Sequence, residues 1–136
     1  MKRVFVDTSG FCALIVHEDD NHERAGALFS RASQEEWGLV TTNAVVFETH
    51  ALLLNRARPG REVALKFLDA IRADAYEVVR VRKDDEENAI ALIRAHDDKR
   101  YSLCDALSFT VMDRLGLNEA IAFDQDFRSY GRFTTL

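Results

Sequence analysis

The sequence predicts an α/β domain built around a mainly parallel β-sheet. Short apolar runs alternate along the chain with segments of helical periodicity, a pattern typical of strands joined by crossover helices. The first run, residues 4–6, is apolar throughout, as in a strand that is covered on both faces. With 136 residues, 47% of them hydrophobic, the chain is large enough for one globular domain, which we expect to span residues 1–136.

The first third of the chain contains two predicted strands and two predicted helices. The first strand ends at Asp7, and apolar side chains then fall on one helical face over residues 11–15. The same periodicity over residues 22–31 follows a helix-cap signal at residues 19–21. Residues 39–40 predict the second short strand.

The central third is mostly helical. We expect one helix from about residue 44 to residue 56 and another across residues 63–71. Pro59 and Gly60 separate the two helices, because both residues interrupt helical periodicity. Residues 76–81 predict a third strand.

The last third repeats the alternation. Asp84, with Glu87 three residues later, matches a capping box and predicts the start of a helix. Ser102 begins the next helix, which continues to residue 115. Residues 120–123 predict another strand, and residues 132–134 predict a last strand at the edge of the sheet.

Charge and cysteine content restrict the class of protein. The chain has 18 Lys and Arg against 23 Asp and Glu, a net charge of −5, which argues against a protein that coats DNA through a basic surface. Cys12 and Cys104 are isolated, as expected of thiols in a reducing compartment and not of a disulfide framework or a zinc site. Apolar runs are too short for a signal peptide or a membrane span. We therefore expect a cytoplasmic protein with no membrane partner.

Two aspartates come directly after predicted strands. Asp7 follows the first strand, and Asp124 follows the strand at residues 120–123. Either residue alone is explained by a helix N-cap or a turn, where Asp is common. In an open parallel sheet, however, functional groups gather beyond the carboxyl ends of the strands. The two carboxylates are therefore also candidates for a shared site.

Glu48 lies in the apolar part of a predicted helix. Its neighbours one turn before and one turn after are all apolar, so the helix turns this carboxylate toward the core side. A buried carboxylate needs a compensating cation. An ion pair with Arg56 or Arg114 would supply one, and so would a metal ion; the sequence leaves both open.

Asp105 lies three residues after Ser102, in the first turn of a predicted helix. This spacing resembles a capping box, and a helix N-terminus favours a negative charge. The same position faces the carboxyl edge of the sheet, where it would serve a functional site. Asp126, two residues after Asp124, is either a fifth acid of that site or a solvated turn residue.

Together these acids predict a site for a divalent cation. Carboxylates that share one cleft repel one another, and a set of oxygen ligands suits Mg²⁺ or Mn²⁺, whereas zinc prefers His and Cys. The four histidines show no ligand spacing, and we expect them on the surface or in packing. A carboxylate-held Mg²⁺ can polarise a phosphodiester and activate an attacking water. The predicted chemistry is therefore phosphodiester hydrolysis.

Four segments that carry these acids resemble the PIN-domain ribonucleases, and in particular the VapC toxins of toxin–antitoxin pairs. The segments are VFVDTS at residues 4–9, VVFET at 45–49, YSLCDA at 101–106 and IAFDQDF at 121–127. They occur in the order and at the separations usual in that family. The resemblance extends over essentially the whole chain.

The resemblance implies a three-layer α/β/α domain with a central, mainly parallel sheet of about five strands. It also implies an endoribonuclease that depends on Mg²⁺ or Mn²⁺, a homodimer, and a VapB-like antitoxin that covers the active site. Carried over by position, the catalytic acids are Asp7, Glu48, Asp105 and Asp124, and the metal ligands are Asp7, Asp105 and Asp124.

Four further residues have less direct assignments. Ser9 matches the small hydroxyl residue that positions the first aspartate in this family. Asp126 lies at a position where members of the family differ from one another. Lys99 and Arg100 come just before the helix that begins at Ser102. They are candidates for contacts with the RNA backbone, although a solvated charged face is the slightly favoured explanation.

Three arginines beside Pro59 and Gly60 are similar candidates for RNA contact. They are Arg56, Arg58 and Arg61, on the helix pair that we expect to shape the dimer or the substrate groove.

Other functions are compatible with parts of the pattern. A receiver domain or a phosphatase would use Asp7 as a phosphoacceptor, but Thr8 and Ser9 stand where those proteins need a further acid. A sugar-nucleotide site would rest on residues 124–126 alone. A PIN-like module that binds RNA or a partner without cleavage, and a housekeeping RNA-processing nuclease, are the alternatives to a toxin.

Overall fold

The protein was analysed as a computed structural model that describes residues 1–73 and 75–136. The strands are β1 (Arg3–Val6), β2 (Gly38–Thr42), β3 (Tyr76–Val79), β4 (Glu119–Ile121) and β5 (Thr134–Thr135). The helices are α1 (Thr8–Ile15), α2 (His22–Gln34), α3 (Asn43–Arg56), α4 (Gly60–Arg72), α5 (Lys83–Ala95), α6 (Leu103–Leu115) and α7 (Gln125–Tyr130). The five strands form one sheet in the order β3-β2-β1-β4-β5, and every adjacent pair is parallel. The predicted α/β class is confirmed.

Strand β1 is the centre of the sheet. The chain moves outward from β1 to β2 and β3 on one side, then returns to place β4 and β5 on the other side. The order of strands therefore reverses beside β1, which is the position where open parallel sheets place their functional groups. The carboxyl ends of β1 and β4 are neighbours there, since Val6 pairs with Ile121.

Helices cover both faces of this sheet. Val4, Phe5 and Val6 of β1 are completely buried, so their alternating side chains contact protein on either side. On one face, Phe5 stacks on Phe127 of α7, with ring centroids 6.4 Å apart. This arrangement agrees with the three layers that the resemblance implied. Within residues 1–73 and 75–136, none of the helices combines the length and apolar character needed to cross a membrane.

The capping box predicted at Asp84 and Glu87 is wrong. The N-cap of α5 is Arg82, two residues before the predicted N-cap Asp84, and its backbone N–H donates to the carboxylate of Asp85 (2.9 Å). Asp85 is buried and forms two hydrogen bonds with Arg114 of α6, at 2.8 and 2.9 Å. A long-range ion pair thus fixes the start of α5, where the local pattern suggested a different acid.

The predicted strand boundaries need smaller corrections. β3 ends two residues early, because the N–H of Val81 donates to the side-chain oxygen of Asn43 (2.9 Å). β4 likewise ends before Phe123, whose N–H donates to the hydroxyl of Ser9 (2.9 Å). The last edge strand lies at Thr134–Thr135, slightly later than expected.

Candidate active site

Two of the predicted acids cap helices directly after the central strands. Asp7 is the N-cap of α1 and follows β1 directly. Asp124 is the N-cap of α7 and comes three residues after the end of β4. The N–H of Asp7 donates to the carbonyl of Ile121 (3.1 Å), so the two strand ends are in direct contact. The capping explanation and the shared-site explanation are therefore both satisfied by the same geometry.

The hydroxyl of Ser9 joins these two strand ends. It donates to Oδ2 of Asp7 (2.7 Å) and accepts hydrogen bonds from the N–H groups of Phe123 (2.9 Å) and Asp124 (3.3 Å). The close approach requires a glycine at position 10, since a Cβ there would lie 2.5 Å from the carbonyl oxygen of Ile121. Ser9 therefore holds one acid and the loop of the next in a fixed relation.

Asp105 reaches the same place from the first turn of α6. Its N–H donates to the hydroxyl of Ser102 (3.0 Å), and its Oδ2 accepts from the N–H of Ser102 (3.3 Å), which is the predicted capping box. One carboxylate oxygen from each of Asp105, Asp124 and Asp126 lies within 4.8 Å of the others. Asp126, which sequence reasoning placed below the other acids, is thus part of the tightest acidic cluster.

Glu48 faces a small cavity beside these acids. The cavity has a volume of about 190 Å³ and is lined by Asp7, Thr8, Ser9, Cys12, Glu48, Leu52, Arg56 and Asp124. Glu48 itself is half-buried. Of the two partners considered for it, Arg114 pairs instead with Asp85, whereas Arg56 lines the same cavity.

The acids occupy an environment that disfavours their charged forms. The pKa of Asp7 is raised to about 6, mainly by burial. Hydrogen bonds from Ser9 oppose this rise, and the charge of Asp124 contributes to it. Burial, followed by the charges of Asp124 and Asp7, raises the pKa of Asp105 to about 7. Burial also raises the pKa of Asp124. Such mutual repulsion is what a bound divalent cation would relieve.

Both cysteines lie close to the acids, which the sequence did not predict. Cys12 is buried and lines the acidic cavity, and burial raises the pKa of its thiol to about 11. Burial and the negative charge of Glu48 raise the pKa of the Cys104 thiol. Both are free thiols that stay protonated at neutral pH, as expected of packing residues and not of metal ligands.

Of the basic residues predicted to contact RNA, Arg56 lines this cavity, whereas Lys99 and Arg100 do not. Lys99 and Arg100 are exposed in the loop between α5 and α6, and their contact with RNA stays a prediction. The histidines serve packing or lie at the surface: His17 and His22 stack with ring centroids 4.8 Å apart, and Nδ1 of His22 is 2.9 Å from the carbonyl oxygen of Ala13.

Comparison with known proteins identifies the family of the chain. The PIN domain model matches residues 4–132. The 23S rRNA-specific endonuclease VapC20, from two strains of Mycobacterium tuberculosis, is 35% identical over 128 residues, which are 94% of each chain.

Two solved structures share the fold. The crystal structure of M. tuberculosis VapC20, described as a sarcin–ricin loop cleaving toxin, has a TM-score of 0.87 at 34% identity and covers 95% of both chains. VapBC2 from Rickettsia felis, bound to promoter DNA, has a TM-score of 0.67 over 98% of this chain and 97% of its own; at 9% identity, it supports the fold alone. The chain belongs to the PIN-domain family and is an endonuclease of the VapC type.

Proposed function

We propose that this chain is the toxin of a VapBC-type pair and cleaves the sarcin–ricin loop of 23S ribosomal RNA in a reaction that depends on Mg²⁺ or Mn²⁺. The observation that carries the proposal is the convergence of carboxylates from two strand ends and a helix N-terminus beside the central strand. The 35% identity to VapC20 supports the RNA target, because it extends over 94% of both chains. We also propose that residues 1–136 act as one domain in the cytoplasm, where ribosomes are found.

The donor atoms in this site suit a hard divalent cation. We propose that Asp105 and Asp124 hold the cation, with Asp7 as a further ligand and Asp126 in support. All of these donors are carboxylate oxygens. Burial is the main reason that the pKa values of Asp7 and Asp105 are raised, and a bound cation would favour their charged forms. Oxygen donors favour Mg²⁺ or Mn²⁺ over zinc.

Each acid then has a distinct task in hydrolysis. A bound divalent cation supplies polarisation of the phosphodiester and lowers the pKa of an attacking water. Asp7, held by Ser9, keeps its carboxylate fixed while the RNA enters. Glu48 stands on the α3 wall of the cavity, and we assign it to orienting the water. Lys99 and Arg100 precede α6 and are proposed to contact the RNA backbone outside the cavity.

Exposed apolar residues support a protein partner as well. Phe47, Leu54 and Leu65, on the adjacent helices α3 and α4, are 64%, 45% and 41% exposed. Large apolar side chains in one region of a surface are typical of interaction sites. We propose that a second copy of the chain covers this region in a homodimer, and that a VapB-like antitoxin covers the acidic cavity.

A cleavage assay tests the proposed activity. Purified protein without antitoxin is incubated with a sarcin–ricin loop oligonucleotide and with intact ribosomes, each with Mn²⁺, Mg²⁺ or EDTA. We expect one cut that requires the cation and disappears in Asp105→Asn. Asp98→Asn is the matched control, because Asp98 is exposed and lies outside the acidic cluster.

Three results would count against the proposal. Binding without cleavage of either substrate would favour a PIN-like binding module. Cleavage of many RNAs with no preference for the sarcin–ricin loop would favour an RNA-processing nuclease. If Asp98→Asn loses as much activity as Asp105→Asn, the loss cannot be attributed to the acidic cluster.

A further inference from the structure

The acidic cavity is lined by an arginine as well as by carboxylates. Arg56, the last residue of α3, shares the cavity with Asp7, Glu48 and Asp124. Among the residues that the structure describes, the salt bridges involve other cations, and none joins Arg56 to an acid. Its guanidinium donors are therefore available to an anion that enters the cavity.

The helix aims this side chain along the cavity. Glu48, Leu52 and Arg56 follow at intervals of four residues and lie on one side of α3. The first and last Cα atoms are about 12 Å apart at 1.5 Å per residue. Because side chains tilt toward the N-terminus of their helix, the Arg56 side chain leans back over Leu52 toward Glu48. Arg56 thus lines the same cavity as the acids and lies at the other end of this side of the helix.

A structural role as counter-ion fits Arg56 less well. An arginine that neutralised the acids would form an ion pair with one of them, as the half-buried Arg114 does with Asp85. Arg56 is exposed and pairs with none of the acids in the described part of the chain.

An RNA strand supplies the anion that this arrangement lacks. Each phosphate that approaches the cavity is repelled by the carboxylates, and a planar guanidinium can offset that repulsion through two parallel hydrogen bonds to phosphate oxygens. We propose that Arg56 binds a phosphate of the RNA substrate within one nucleotide of the cleaved bond. This inference rests on the proposed ribonuclease function.

The first test compares two arginines in matched positions. Arg56 and Arg94 are both exposed and lie in the last turns of α3 and α5, so changing either to Gln removes the same charge from the same part of a helix. We expect Arg56→Gln to lower kcat/KM on the oligonucleotide by about 10- to 100-fold, the loss typical of a charge-assisted hydrogen bond. Arg94→Gln should stay within about twofold of wild type.

The second test locates the phosphate. Single methylphosphonate substitutions remove the charge of one phosphate at a time around the cleaved bond. At the phosphate bound by Arg56, neutralisation should slow cleavage by the wild type. It should slow cleavage by Arg56→Gln very little further, because that variant has already lost the guanidinium that binds this phosphate. Arg56→Lys keeps the positive charge without the planar guanidinium, and its kcat/KM should lie between those of wild type and Arg56→Gln. If Arg56→Gln does not fold, Arg56→Lys takes its place in both tests.

The outcomes separate the inference from the function beneath it. No cleavage of unmodified RNA by wild type refutes the proposed function. Cleavage by wild type with equal rates for Arg56→Gln and Arg94→Gln overturns the role of Arg56. The inference is also overturned if every methylphosphonate slows wild type and the Arg56 variant by the same factor. A urea midpoint that falls in Arg56→Gln while kcat/KM per folded molecule is unchanged would assign Arg56 to structure instead.

Discussion

Replacing Asp7 with Asn should stabilise the metal-free protein while abolishing cleavage. The Asp7 carboxylate is 3% exposed, and burial raises its pKa from 3.8 to about 6. An acid whose pKa is raised by folding holds its proton more tightly in the native state, so its ionisation costs stability. Asn keeps an oxygen that accepts the hydrogen bond from Ser9 and removes the charge.

The size of the effect depends on pH in a defined way. Below about pH 3.8 the carboxyl is protonated in both states and the free energy of unfolding carries no penalty. The penalty grows between pH 3.8 and about 6 and is constant above that range. At 1.36 kcal/mol per pH unit, it reaches about 3 kcal/mol. We therefore expect the free energy of unfolding of Asp7→Asn to exceed that of wild type by about 2–3 kcal/mol at pH 8, and the two values to converge near pH 4.

Urea unfolding with EDTA measures this difference. Trp37 is the one tryptophan and is buried, so its fluorescence reports the transition in both proteins. Saturating Mn²⁺ should reduce the difference in free energy of unfolding between the two proteins, because an ion that binds the native state through Asp7 stabilises the wild type more than the variant. The reasoning is refuted if Asp7→Asn is no more stable than wild type at pH 8, or if the difference is the same at pH 4 and pH 8.

Three further changes address other parts of the structure. Ser9→Ala removes the hydroxyl that joins the two strand ends and should lower the free energy of unfolding by about 1–3 kcal/mol. It should also lower the single-turnover cleavage rate by a larger factor than it lowers RNA affinity. Equal losses of cleavage rate and RNA affinity would contradict the positioning role. Arg114→Met leaves Asp85 buried without its partner and should cost about 3 kcal/mol in urea unfolding; a neutral result would mean that the pair is dispensable. Phe47→Asp places a charge on the proposed dimer surface and should give a monomer by light scattering, whereas an unchanged mass would locate the interface elsewhere.

The alternation of strands and helices could be predicted from the sequence because it is local. The apolar run at residues 4–6 is completely buried at the centre of the sheet, as its composition indicated. The ends of β3 and β4 could not be predicted, because each is set by a hydrogen bond to a distant residue. Asn43 is 38 positions from Val81, and Ser9 is 114 positions from Phe123.

The predictability of the site follows the same division. Asp7 and Asp124 could be chosen because each follows a predicted strand, and Asp105 because its capping box is local. The sequence offers Arg56 both as an ion-pair partner of Glu48 and, with Arg58 and Arg61, as a candidate for RNA contact. Its four-residue spacing from Leu52 is common on any helix and does not decide between the two. Asp126 had no local signal that separated it from a turn residue; its place in the cluster depends on α6 meeting α7.

The net charge of −5 takes on a specific meaning in this structure. Four of the 23 acids are Asp7, Glu48, Asp105 and Asp124, and the others nearly balance the 18 Lys and Arg. Under the proposed function, the excess of negative charge is therefore concentrated where an RNA phosphate arrives. Phosphate binding there requires positive charge from a divalent cation or from the protein. If Arg56 supplies the protein's share, substrate affinity should fall in its Gln variant even when Mn²⁺ saturates the acids, whereas a cation-only site would show no such loss.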